Sequence, residues 1–232
     1  SKQFRTTPGA CTRFHFFADE TKWDAAPDQE PPASYLGYIV RRPTINEAPI
    51  GRTVLAINRE MVPRAVVPCS ATFRPHVNEH ELRINGVPFC QQDLVLMRCA
   101  EASIWTAARM MSKHFAHPLI LPPSIVSPAT VGYSPAQGRL VPSDGLTAEQ
   151  ISHALMILGF GPLHYNKGAY RFRPQTELTP WSALDLTIPY LNSRVPVILG
   201  VPGHVVTACG FIAKANRKSV TPTNNLRSTT EW

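Results

Sequence analysis

The pattern of apolar and polar residues in the first half of the chain is that of β-structure. Between positions 35 and 90, the runs YLGYIVRRP and IGRTVLAI are rich in β-branched and aromatic residues and are interrupted by proline, which predicts short strands. Further along, ELRINGVPF alternates apolar and other residues around Asn85 and Gly86, a pair typical of a two-residue hairpin turn. We therefore expect residues 35–90 to be mostly β-strand, with a hairpin at this pair.

A helical period replaces this pattern near Leu96. Apolar residues recur from there at intervals of three and four positions, and charged residues mark another face of the same helix. The apolar set is Ala100, Ile104, Ala107 or Ala108, Met111 and Phe115, and the charged set is Glu101, Arg109 and Lys113. This segment is the strongest helix prediction in the chain.

Two more helices are predicted from their end signals. Thr147 followed by Gln150 forms a capping box, and the helix that it opens should end at Gly159. Residues 179–180, Thr-Pro, open a shorter helix that must stop before Pro196. Beyond it, apolar residues on both sides of Pro202-Gly203 predict two buried strands that meet at a tight turn.

Two segments show no period. Residues 17–34 are acidic and proline-rich and are expected to form an exposed loop or linker. Residues 121–145 contain five prolines and predict a long irregular connection, which in compact domains is often functional. These patterns divide the chain into a β-rich region of unassigned role, residues 1–87, and a mixed region, residues 88–232.

Composition narrows the class of protein. Apolar residues make up 44% and charged residues 17% of 232 positions, which favours a compact globule over a disordered chain. The net charge of +7 is scattered rather than striped, so nucleic-acid binding is not expected. No apolar run approaches the ~20 residues of a membrane helix, and no signal core is visible, so we expect a soluble cytoplasmic protein. The five cysteines lack a CxxC pair, which favours reduced thiols.

Two residues could carry nucleophilic chemistry. Cys99 falls in the first turn of the strongest helix, where unpaired N–H groups and the helix dipole favour a thiolate. His204 follows Pro202-Gly203 at the start of an apolar strand. Each also has a purely structural interpretation, as a buried thiol or a hydrogen-bonded core imidazole. Together they match what a Cys-His nucleophile pair requires.

An oxyanion donor is also needed for such chemistry. Gln92 lies seven residues before Cys99, so its side-chain amide could point to the same place as the Cys99 backbone N–H. Gln91, its neighbour, is the alternative oxyanion donor. The alternative without a catalytic role is that both glutamines lie in an exposed polar loop.

These features combine into a resemblance. Gln92 ahead of Cys99 at a helix start, the capped helix GLTAEQISHALMILG and the segment PVILGVPGHVVTACGF resemble the papain-like cysteine peptidase superfamily, in particular the bacterial branch related to bacteriocin-leader-processing peptidases. The resemblance implies an α+β fold in which a helix bearing the cysteine packs on an antiparallel sheet bearing the histidine. It assigns residues 88–232 to the peptidase core and calls for no cofactor or metal.

The resemblance implies a cysteine protease that hydrolyses a peptide or isopeptide bond. Cys99 would attack the carbonyl, His204 would transfer the proton, and Gln92 would hold the oxyanion. The partner would be a protein or peptide substrate, with an activating protein as a further possibility. Acyl transfer by the same pair, and an inactive papain-like binding module, are the alternatives.

The resemblance also implies an orienting residue after the histidine. No Asp follows Asp185, so the candidates are Asn216, Asn224 and Asn225, or the residue is absent from this chain.

Overall fold

A computed structural model describes residues 10–19, 23–26, 28–43, 48–92, 99–125, 146–165 and 183–212. The fold is α+β with antiparallel strand pairing, as the sequence predicted. The strands are β1 (Thr12–Phe17), β2 (Tyr35–Arg41), β3 (Thr53–Ala56), β4 (Ala65–Val66), β5 (Ala71–Phe73), β6 (His76–Val77), β7 (His80–Glu81), β8 (Ile84–Phe89), β9 (Val197–Val201), β10 (His204–Ala208) and β11 (Phe211–Ile212). The helices are α1 (Cys99–Phe115), α2 (Ala148–Ile157) and α3 (Ala183–Asn192).

The main sheet has the strand order β1-β2-β3-β8-β5, with every pair antiparallel. Apolar side chains on one face form a core cluster that includes Tyr35, Val54, Phe73 and Ile84. Four strands of this sheet, β2, β3, β5 and β8, come from the segment whose composition predicted strands, so that prediction is confirmed. β1 lies before this segment and was not predicted.

The hairpin expected at Asn85 and Gly86 is wrong, because both residues lie inside the continuous strand β8. β8 pairs with β3 on one side and with β5 on the other. A side chain at Gly86 would overlap the carbonyl group of Leu55 on β3, so glycine permits a close approach of two strands here. The two-residue hairpin lies nearby instead, between β6 and β7, where Asn78 takes a positive φ of 50°.

Helix α1 packs against β8 and β5 of the main sheet and against β9 and β10 on another side. Because several elements cover it, burial extends around most of its circumference. Glu101, predicted on a polar face, is fully buried, while Phe115, predicted on the apolar face, is 49% exposed. The prediction of a helix is confirmed, and the assignment of its faces is wrong because one amphipathic stripe was assumed.

Helix α2 begins as predicted. The Thr147 side chain accepts from the Gln150 backbone N–H, and the Gln150 side chain accepts from the Thr147 N–H. The helix terminates before Gly159, which has φ = 89°. Helix α3 ends before Pro196 as expected, whereas the predicted opening at residues 179–180 lies outside the described residues.

The strands β9 and β10 form the predicted hairpin, with Val201 opposite His204 across the turn. The prediction that both strands are buried is wrong. Val201 and Val206 are 49% and 38% exposed, because the pair forms a separate two-stranded sheet with α1 along it rather than a central part of a large sheet.

The segment predicted as an exposed linker is partly packed. Trp23 contacts the rings of Phe17 and His80, and Ala25 is 5% exposed. Hydrogen bonds from Asn78 and His80 to backbone carbonyls of this segment hold it against the sheet. Its acidic and proline-rich composition concealed these few anchoring residues.

Two connections cross the predicted division of the chain. The boundary at residues 87 and 88 falls within β8, and β11, near the end of the described chain, pairs with β4. No helix in the described part of the chain is long and apolar enough to cross a membrane.

Candidate functional site

Cys99 is the first residue of α1 and is partly exposed. Its thiol is not in a disulfide. At this position the first-turn N–H groups have no partner within the helix and carry a partial positive charge. The structure places Cys99 at the start of a helix, as the sequence predicted.

His204 is the first residue of β10 and directly follows the Pro202-Gly203 turn. Its side chain is exposed, which excludes the alternative interpretation of a buried, hydrogen-bonded core imidazole. Gly203 has φ = 72°, and apart from its two chain neighbours no atom of the described residues lies within 4 Å of where its Cβ would be. Gly200 on the neighbouring strand also has open space at its Cβ position, but it pairs with Val205 and so lies on the face opposite to that of His204. The surroundings of His204 leave room for another molecule.

Two hydrogen bonds join α1 to β10. The Ser103 hydroxyl donates to the carbonyl of Val205 at 3.1 Å, and the Thr207 hydroxyl donates to the carbonyl of Ser103 at 2.9 Å. Side chains of a helix tilt towards its N-terminus and carbonyl groups point towards its C-terminus. Because the side chain of Ser103 meets Val205 and its carbonyl meets Thr207, the helix and the strand run in the same direction at this contact.

This direction places the two candidate residues at one end of the contact. Cys99 precedes Ser103 by one helical turn, about 6 Å of rise, and His204 precedes Val205 by one strand position, about 3.3 Å. The starts of α1 and β10 thus lie at the same end of this contact, although about a hundred residues separate them in sequence.

Ser103 and Thr207 were not identified as positioning residues from the sequence. Ser103 is 6% exposed on an otherwise apolar part of α1. A buried hydroxyl has to find a hydrogen-bond partner, so its position among alanines and Ile104 was the available signal. Its partner on β10 could not be read from the sequence.

The two glutamines before α1 differ in what they contact. Gln91 accepts from the Ile50 backbone N–H through its side-chain oxygen at 3.0 Å, and its carbonyl accepts from the Arg42 guanidinium at 2.9 Å. Gln91 is therefore a structural residue at the end of β8. Gln92 is half-buried, and its side chain makes no hydrogen bond with the residues that the structure describes. Of the two, Gln92 is the better candidate for an oxyanion donor.

Packing places the residues just before Gln92 near the first half of α1. Cys90, two residues earlier, is 6% exposed and belongs to one core cluster with Ala102 and Trp105. The connection from β8 therefore leaves the sheet beside the helix segment that follows Cys99. Residues 93–98, which complete the connection, lie outside the described residues.

The other cysteines differ from Cys99 in their surroundings. Cys69 is fully buried, and burial together with the neighbouring Cys209 raises the pKa of its thiol to about 12. Burial likewise raises the pKa of Cys209. Cys90 is buried in a core cluster, and Cys11 is exposed outside any helix. Cys99 is the one of the five cysteines that combines partial exposure with a helix start.

The three candidates for the orienting residue after His204 lie outside the described residues: Asn216, Asn224 and Asn225. Within the described ranges, no group of three or more His, Cys, Asp or Glu side chains is arranged to hold a metal ion.

No family model, no curated protein and no solved structure matches the chain.

Proposed function

We propose that the protein is a papain-like cysteine peptidase in which Cys99 and His204 form the nucleophile pair. One observation carries the proposal: the starts of α1 and β10 lie at the same end of a contact fixed by Ser103. A partly exposed thiol at a helix start and an exposed imidazole on the adjoining strand are the two groups that thiol hydrolysis needs.

The reaction proceeds in two steps. The Cys99 sulfur forms a bond to the substrate carbonyl carbon as its proton passes to His204, and the proton then moves to the amine that leaves. Water attacks the resulting thioester, His204 takes one of its protons, and Cys99 regains a proton as the acid is released. The Cys99 N–H and the Gln92 amide donate to the oxyanion in both steps.

Several surroundings support this assignment of roles. Open space at Gly203, the residue before His204, leaves access for a substrate chain. The proposed location is the cytoplasm, where thiols are kept reduced. The substrate is a protein or peptide, since an exposed site at the junction of a helix and a strand can receive an extended chain.

The direct test is trapping of the acyl-enzyme. The full chain is incubated with a mixture of synthetic peptides, quenched in acid and analysed by mass spectrometry for an acyl adduct on the Cys99 peptide and for new peptide carboxylates. We expect both with the wild type and with Cys11→Ala, and neither with Cys99→Ala.

A second arm adds glycinamide as a competing amine. Products that carry glycinamide in place of a free carboxylate would show that the acyl group passes to an amine, and the proposed reaction would then be acyl transfer instead of hydrolysis. Peptides that remain uncleaved by the wild type, with no adduct at Cys99, would overturn the peptidase proposal in favour of a binding module.

A further inference from the structure

A basic recess lies away from Cys99, between the main sheet and the C-terminal half of α1. It has a volume of about 490 Å³. Its charged side chains are all basic, and its lining includes Arg13, Arg74, Arg109, Lys113 and the rings of Tyr38 and Phe73. The volume lies within the range of small-molecule sites, about 300–1,000 Å³.

The basic groups of this recess have little negative charge near them. Glu81 contacts Arg74 at 3.2 Å and also Arg83, which lies outside the recess. In the described part of the chain, no carboxylate forms an ion pair with Arg13, Arg109 or Lys113. Three of the four cations thus face the recess without a compensating charge.

Aromatic rings hold these cations in place. The Arg13 guanidinium lies 5.2 Å from the centre of the Tyr38 ring. The Arg109 guanidinium and the Lys113 ammonium lie 5.7 and 5.3 Å from the centre of the Phe73 ring. Cation–π contacts fix long side chains that would otherwise lose rotamer freedom on binding a ligand.

Burial and neighbouring cations destabilise the charges of Lys113 and Arg109. Burial lowers the pKa of Lys113, and repulsion from Arg109 and Arg74 lowers it further. The pKa of Arg109 is lowered by burial and by Arg52, against an opposing effect of Tyr38. An anion in the recess would relieve this repulsion and would therefore bind more tightly than at a single surface cation.

We propose that this recess binds a small ligand that carries two or more anionic groups, phosphate or carboxylate. Arg109 and Lys113, one helical turn apart on α1, would contact one group, and Arg13 on β1 and Arg74 directly after β5 would contact the other. The site is independent of the proposed peptidase activity. A small ligand is favoured over a nucleic acid because the charges surround one recess rather than following an extended face.

Isothermal titration of the full chain at low ionic strength tests this site, with inorganic triphosphate as one probe and citrate as the other. We expect saturable one-to-one binding of at least one probe. The stronger of the two identifies the anionic group as phosphate or carboxylate. Lys113→Gln and Arg13→Gln should each weaken binding at least tenfold.

Arg83→Gln is the matched control, since it removes the same charge from the connection between β7 and β8, outside the recess. We expect it to leave binding within twofold of the wild type. Arg13 lies on the exposed strand β1, so Arg13→Gln keeps the test valid if a helix variant fails to fold.

Three results would overturn the proposal: no saturable binding of either probe, equal loss in Arg83→Gln, or preferential binding of a single-stranded oligonucleotide that the Lys113 and Arg13 variants weaken. The last result would assign the basic groups to nucleic acid instead.

Discussion

The Ser103 hydroxyl lies 3.1 Å from the carbonyl oxygen of Val205 and donates a hydrogen bond to it. Together with the bond from Thr207 to the Ser103 carbonyl, it ties the first turns of α1 to the first residues of β10. These two bonds fix how the helix that begins at Cys99 is aligned with the strand that begins at His204. The proposed site therefore depends on a contact that takes no part in the chemistry.

Removing that contact should affect turnover more than stability. Ser103→Ala loses one buried hydrogen bond, which costs about 1 kcal/mol of unfolding free energy. We expect peptide turnover to fall by about ten- to a hundredfold, because small shifts of a reactive pair have effects of that order. Denaturant unfolding and initial rates measure the two effects.

Thr187→Val serves as the control for Ser103→Ala. Thr187 is also buried, and its hydroxyl donates at 2.7 Å to the Ala183 carbonyl within α3. It should lose a similar amount of stability with turnover unchanged. Equal rate losses in the two variants would mean that Ser103 has no special positioning role.

The two adjacent glutamines should separate stability from catalysis. Gln92→Ala is expected to lower kcat by about 10²–10³-fold, as loss of an oxyanion donor does, with little change in the melting temperature. Gln91→Ala should instead lower the unfolding free energy by about 1–3 kcal/mol, because it leaves the Ile50 N–H without its acceptor. The opposite pattern of effects would assign the oxyanion role to Gln91.

Gly86 provides a test of the strand pairing. Gly86→Ala should lower the unfolding free energy by about 3 kcal/mol or more, since its methyl group would overlap the backbone of Leu55 on β3. Gly161→Ala, where no described atom lies within 4 Å of the new Cβ, should change it by less than about 0.5 kcal/mol. A tolerated Gly86→Ala would favour a turn at this position.

Cys69 should make the protein less stable in alkali. Its ordinary pKa of 9.0 rises to about 12 in the folded state, so between these values the unfolded chain loses a proton that the folded chain keeps. The free energy of unfolding therefore falls as pH rises from 9 towards 12. Cys69→Ala should show a shallower fall in melting temperature over pH 9–11 than the wild type.

Cys11→Ala is the control for this pH dependence, because Cys11 is exposed. Its slope should match that of the wild type. A Cys69→Ala slope that equals the wild-type slope would contradict the buried-thiol account.

Local signals in the sequence predicted the local structure well. The Thr147–Gln150 capping box and the turn at residues 202–203 need only neighbouring residues, and both are present as predicted. The predictions were wrong where a segment distant in sequence determines the local structure or burial. Glu101 is buried because more than one sheet covers α1, and Gly86 lies in a strand because β3 passes close to it.

The candidate site shows the same division. Cys99 at a helix start and His204 after a glycine turn follow from local pattern, and both are so placed. The Ser103 contact that relates them spans more than a hundred residues and could not be predicted from one sequence. The distinction between Gln91 and Gln92 likewise required the position of Ile50.

The central claim is that the Cys99 thiol and the His204 imidazole act as one unit. The most direct measurement is the rate at which iodoacetamide alkylates Cys99 at pH 6, followed by mass spectrometry in the wild type, in His204→Ala and in the control His76→Ala. The proposal predicts rapid alkylation in the wild type and in His76→Ala, and a rate at least tenfold lower in His204→Ala. Equal rates in all three proteins would contradict it.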